Sequence, residues 1–311
     1  MASQFRRKRL ANIQSVAFLS ICAWLPLQAQ ASTCSPLGMD KAALRQLKEQ
    51  EFDIPDPERR ERFAIELVEC LGDPDSSVRD GIAYEGYVTL LRGKQLREET
   101  VRSLRSTMIP LLQSSAEDEL GFRKPFVALA LAEVARTDRV EPLFSDEERE
   151  HLVSASVNYM SSVSDYRGFD AEEGWRHGVA HTADLLMQLT LNESINQAQL
   201  IRIRDAIGAQ VAPDGEHFYI YGEPERLARP ILFMANRDAF TEQQWIDWFT
   251  ALSDPTPFDN WRDIYSSQAG LAKLHNTRAF AEAIYVNTVG SERSGLQALA
   301  AGALLLLKAL P

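Results

Sequence analysis

The chain has 311 residues, 45% of them hydrophobic and 25% charged, with 33 basic against 44 acidic side chains and a formal charge of −11. Its 16 glycines, 14 prolines and three cysteines exclude collagen-like, low-complexity and disulfide-scaffold classes, and the length suits one large domain or two small ones. A net-acidic chain repels phosphate backbones and anionic lipid heads, so no nucleic-acid or membrane-surface partner is expected.

Residues 1–31 have the layout of a secretory signal peptide. Arg6, Arg7, Lys8 and Arg9 precede an apolar stretch from Ile13 to Leu27, and Ala29-Gln30-Ala31 supplies the small-x-small cleavage pattern. The stretch is short for a membrane span of about 20 residues, and Pro26 interrupts it. Cys22 follows a bulky Ile21, which disfavours lipoprotein processing. The expectation is export from a bacterial cytoplasm to a periplasm or the medium, with no transmembrane anchor after cleavage. The working protein is then a single domain, 32–311, whose charge is −15 because the leader removes four basic residues and no acid. It keeps only Cys34 and Cys70, a natural pair in an oxidising compartment. The alternative is one buried and one free thiol.

From there apolar residues recur at three- and four-residue spacing in segment after segment. Leu44, Leu47 and Phe52 mark a first helix. Phe63, Ile65, Leu67, Val68 and Leu71 mark a second, between Pro55-Asp56-Pro57 and Gly72. Leu71-Gly72-Asp73-Pro74-Asp75-Ser76-Ser77-Val78-Arg79 looks like the turn inside a HEAT repeat, although no 40-residue period recurs. Further helices are predicted at 76–91, 98–112, 123–135, 146–160, 173–191, 197–211, 225–236, 242–252, 266–286 and 291–310. The ten apolar residues 298–307 are too few to span a bilayer and predict a buried last helix. Successive helices without βαβ alternation place the chain in the all-α class. The architecture expected is an array of antiparallel helix pairs, HEAT-like, as an α-α superhelix or a closed α/α toroid.

Three polar clusters interrupt the apolar pattern. On the helix at 76–91, Glu85 follows Val78 by seven residues and Ile82 by three, so it should share their core-facing stripe. A buried carboxylate needs a partner or a pocket, either an arginine such as Arg79 or a site shared with Asp80 and Tyr84. In the second cluster His177, His181, Asp184 and Gln188 are spaced four, three and four apart, one stripe on a helix face beside Trp175. The two histidines could hold a zinc-like divalent ion given a third ligand, work as an acid/base pair, or serve structure alone. Gly178 replaces the glutamate of the zincin helix, so that hydrolytic motif is absent. The third cluster runs from Asp214 through His217-Phe218-Tyr219-Ile220-Tyr221 to Glu223 and Arg226 and predicts an extended loop before a helix. Such a loop walls a pocket or simply packs.

Asp80-Gly81-Ile82-Ala83-Tyr84-Glu85, Tyr166-Arg167-Gly168-Phe169, Gly174-Trp175 with His177-Gly178-Val179-Ala180-His181 and Ala183-Asp184, and Glu225-Arg226-Leu227-Ala228 together resemble the bacterial domain-of-unknown-function 2785 family, from about Met39 onward. The resemblance implies an all-helical domain and assigns no activity. Without a nucleophile elbow, phosphate loop or dinucleotide fingerprint, Ser-triad and nucleotide chemistry are disfavoured. Two readings stand. One is an exported protein with a polar pocket in which Glu85, His177, His181 and Asp184 face a small ligand, Trp175 and Tyr84 wall it, and Asp80, Glu223 and Arg226 assist. Its chemistry would be binding, acid/base work, or hydrolysis with either no cofactor or a divalent metal on His177 and His181. The other is a HEAT-like scaffold for a protein partner.

Overall fold

Short polar side chains start most of the helices, because their oxygens satisfy the first free backbone N–H groups. In the computed structural model, which describes residues 34–116 and 118–311, Asp40 accepts from the Ala43 N–H, and Asp56 caps a helix whose first residue is Pro57. Ser145 with Glu148, Asn196 with Gln199, and Thr241 with Gln244 form reciprocal capping boxes. The leader expected at 1–31 lies outside the described residues.

The elements run α1 (Lys41–Glu49), α2 (Pro57–Glu66), a 3₁₀ segment (Leu67–Gly72), α3 (Ser76–Val78), a π-helical segment (Arg79–Tyr84), α4 (Glu85–Arg92), α5 (Glu98–Gln113), α6 (Arg123–Val140) and α7 (Asp146–Ser162). They continue with β1 (Phe169–Asp170), β2 (Gly174–Trp175), α8 (Gly178–Thr190), α9 (Gln197–Ala209), α10 (Glu223–Asn236), α11 (Glu242–Leu252), a 3₁₀ segment (Asp263–Ser266), α12 (Gln268–Thr288) and α13 (Ser294–Ala309). The described residues are thus predominantly helical, with one two-stranded antiparallel sheet that pairs Phe169 with Trp175 and Asp170 with Gly174. None of these helices is long and apolar enough to cross a membrane.

Helices pack on their chain neighbours and on the next but one. α4, α6, α8, α10 and α12 form one succession of contacts, while α5, α7 and α9 form a second beside it. α8 lies between α6 and α10, so its apolar residues Val179, Ala183, Leu185, Leu186 and Leu189 are all buried. Each large apolar side chain buried this way contributes about 1.5–3 kcal/mol. A buried ionic knot ties the α6–α7 turn to the end of α8. Asp138 accepts from Arg149 Nε (2.8 Å) and Nη2 (3.0 Å), from Asn192 Nδ2 (2.7 Å) and from the Leu143 and Phe144 N–H groups. Cys34 and Cys70 are joined by a disulfide, their Cα atoms 4.7 Å apart, which fastens the start of the described chain to the 3₁₀ segment Leu67–Gly72.

Two expectations are corrected here. The helix predicted at 173–191 starts only at Gly178. Gly174 (φ 80°) and His177 (φ 58°) take left-handed backbone angles, which end any helix at those residues, and Gly174-Trp175 pairs into the hairpin instead. Glu85 does not face the core. The π segment before it holds one residue more per turn than an α-helix would, so the buried stripe passes from Val78 and Ile82 to Gly86 and Tyr87. Glu85 is left exposed, paired with Lys48 Nζ at 2.8 Å.

Candidate functional site

The left-handed backbone at His177 makes it the N-cap of α8 rather than a residue on its face, yet its carbonyl accepts the His181 N–H at 3.0 Å, so the two imidazoles remain adjacent. Their ring centroids are 5.6 Å apart, edge to face. Trp175 stacks on His177 at 4.6 Å, and Phe126 of α6 meets the His181 ring edgewise at 5.0 Å. Both histidines are buried.

The Tyr221 backbone lies against the His177 ring and the Pro125 backbone against the His181 ring, while His177 Nε2 and His181 Nδ1 are buried without a hydrogen-bond partner. Burial, helped by the nearby Arg226 guanidinium, holds His177 down to about 4. Burial, with His177 and Arg226 nearby, holds His181 down to about 3. Both rings are therefore neutral near pH 7.

Glu223, the first residue of α10, is 2% exposed and places Oε1 3.7 Å from His177 Nε2. Its other oxygen accepts the Tyr221 N–H at 2.9 Å. Burial pushes its carboxyl upward. Tyr221 thus adjoins both partners, its backbone against His177 and its N–H bonded to Glu223.

One turn further along α8, Asp184 hydrogen-bonds Arg226 and lies 3.7 Å from Arg229 Nη1. Burial raises its carboxyl, and the two guanidinium groups oppose that rise. Tyr84 adjoins this pair and the bidentate Arg92–Glu133 pair (2.8 and 2.6 Å), and its hydroxyl is pushed up to about 12, chiefly by burial. Gln188 completes the α8 stripe by accepting from Arg139 Nε at 3.0 Å. Asp80 lies 2.9 Å from Arg79 Nε, off the N–H axis, so the contact is ionic rather than a hydrogen bond. The structure accordingly gathers His177, His181, Asp184, Glu223, Arg226, Trp175 and Tyr84 into one polar seam between α8 and α10, and leaves Glu85 out of it. Among the described residues no three His, Cys, Asp or Glu side chains are grouped to hold a metal ion.

Three contributors have roles that their sequence context does not give, Arg79 being expected there only as a partner for Glu85. Arg79, fully buried, donates to the Asp73 carbonyl (3.0 Å) and the Glu173 carbonyl (2.9 Å) and lies over the Phe122 ring at 3.9 Å. Asn276 of α12 pins the 217–221 loop by accepting from the Tyr219 N–H and donating to the His217 carbonyl, both at 2.9 Å. Gln210 meets the Tyr219 hydroxyl and donates to the Met160 and Val163 carbonyls. A lone Arg, Asn or Gln in a helical stretch reads as surface, and only tertiary packing reveals these roles.

Beside the hairpin, on the outer side of Tyr221, lies an open groove of about 740 Å³. It is lined on one side by residues 164–170 with Glu173 and Arg176, and on the other by His217, Phe218, Ile220 and Tyr221. Trp175, edgewise to Tyr221 at 5.8 Å, separates this groove from His177.

No curated protein and no solved structure matches the chain. The family model described as "Protein of unknown function (DUF2785)" matches residues 111–286, a span that holds the histidine block, the 217–221 loop and Arg226 but not Asp80–Glu85. That span covers more than half of the 311 residues, and the chain belongs to the DUF2785 family.

Proposed function

We propose that this is an exported protein that binds a small molecule beside the β1–β2 hairpin and moves a proton on it through His177 and Glu223. The observation that carries the reading is the buried, partnerless His177 Nε2 facing a buried carboxyl at 3.7 Å. A neutral imidazole can take a proton and a carboxyl with raised affinity for its proton can give one, which are the two roles of general acid/base transfer. Trp175 and Tyr221 cover the pair and would have to shift for a ligand to reach it. The strain at His177, a non-glycine residue at φ 58°, suits a position fixed for chemistry. Export rests on the basic, apolar and small-residue order of residues 1–31, and the Cys34–Cys70 bridge fits an oxidising destination. The next-but-one helix packing supports a HEAT-like or toroidal arrangement of helix pairs.

The test is a hydrolase substrate panel run on wild type, His177→Gln and Glu223→Gln. Glutamine at 223 can still accept the Tyr221 N–H, so folding is retained. Turnover of at least one substrate, falling about 100-fold or more in both variants, supports the reading. Absence of turnover across the panel, or variants as active as wild type, removes it.

A further inference from the structure

We propose that the groove beside the hairpin is a saccharide site and takes a neutral sugar chain, a reading that rests on the proposed proton-transfer pair and supplies its substrate class. The groove's volume of about 740 Å³ falls in the range of small-ligand sites. Its charged residues answer one another. Arg167 donates to Asp165 through Nε (2.8 Å) and Nη2 (2.5 Å), and Arg176 donates to Glu173 at 2.7 Å. Asp170 accepts the Glu172 and Glu173 N–H groups at 2.8 and 2.9 Å. Three carboxylates thus face two guanidinium groups, and the one negative charge left over disfavours an anionic ligand. Yet each carboxylate keeps spare lone pairs and Arg167 keeps spare N–H groups, all fixed in planes. Sugar hydroxyls, which both donate and accept, fit such a set.

The apolar part is aromatic and held open. Phe169 is 49% exposed and Ile220 68% exposed at the rim. Tyr166 stacks on His217 at 5.1 Å, and the buried His217 Nε2 lacks a partner. Tyr221 lies flat against Gly168, where a Cβ would come within 2.0 Å of the ring. The exposed Phe169 ring is the platform open to the C–H face of a pyranose. Sugar stacked in the groove lies on the outer side of Tyr221, and the shift of Trp175 and Tyr221 that the proton-transfer reading requires would bring it to His177 and Glu223.

The experiment applies the purified protein to an array of neutral oligosaccharides and follows the strongest signal by calorimetry. Wild type should bind a neutral oligosaccharide with little dependence on salt. Phe169→Ala, which removes an exposed ring, should weaken that binding about tenfold. Absence of binding to any neutral glycan, a Phe169→Ala variant that binds unchanged, or retention of anionic glycans or peptides alone overturns the proposal. Binding without turnover by wild type leaves the saccharide site standing and removes the proton-transfer reading, so the two failures are distinguishable.

Discussion

His181 is the residue whose surroundings make the sharpest demand. Its ring is buried among Phe126, His177 and Pro125 and stays neutral down to about 3, whereas an unfolded chain takes up a proton near pH 6.5. The unfolded state then binds more protons across that interval, so this group lowers stability as pH falls from about 6.5 toward 3. The raised carboxyls of Glu223 and Asp184 act with the opposite sign, since the folded state keeps their protons longer as pH rises. His181→Gln should therefore flatten the loss of melting temperature between pH 7 and pH 4, as measured by calorimetry. An unchanged slope would mean that His181 is protonated in the fold. Spacing placed His181, Asp184 and Gln188 on one face of α8, but His177 adjoins His181 as the left-handed N-cap and not as part of that face. That Glu223 would answer His177 was not legible, because the meeting depends on Tyr221 bridging two segments more than forty residues apart.

Among the elements, the stretch from α3 through the π segment to α4 shows where counting fails. A period of 3.6 put Glu85 inside. One residue of extra winding moved Gly86 to that place, against Leu67 and Phe52. Glu85→Ala should consequently change stability by no more than about 1 kcal/mol, as expected of an exposed ion pair. Arg79, on the same segment, joins the Asp73 turn to the hairpin through two carbonyls. Lysine cannot reproduce that fork, so Arg79→Lys should cost about 3 kcal/mol in urea denaturation. Near-equal effects of the two substitutions would contradict the placement of both residues. Helix ends fared better than helix faces. The segment predicted at 242–252 matches α11 residue for residue, because Thr241 and Gln244 announce its start by local chemistry, whereas the late start of α8 hinges on left-handed angles at Gly174 and His177.

Across the molecule, the all-α class was legible from periodicity, since nearly every segment repeats at three and four residues. Which helices touch was not, because the succession α4, α6, α8, α10, α12 is chosen by side-chain fit between segments dozens of residues apart. That succession also implies an order of unfolding. When each helix leans mainly on helices one or two places along the chain, opening starts at the ends and travels inward. The front end is stapled by Cys34–Cys70, so unzipping should begin from α12 and α13. Amide hydrogen exchange should then be fastest in those two helices and slowest in α6 and α8, and reducing the disulfide should speed exchange in α1 and α2 alone. Uniform protection across all helices would mean that the molecule opens in a single step. In the expected order, the helix that carries His181 and Asp184 is the last to meet water, and the polar seam would survive partial unfolding that has already stripped away the carboxyl-terminal helices.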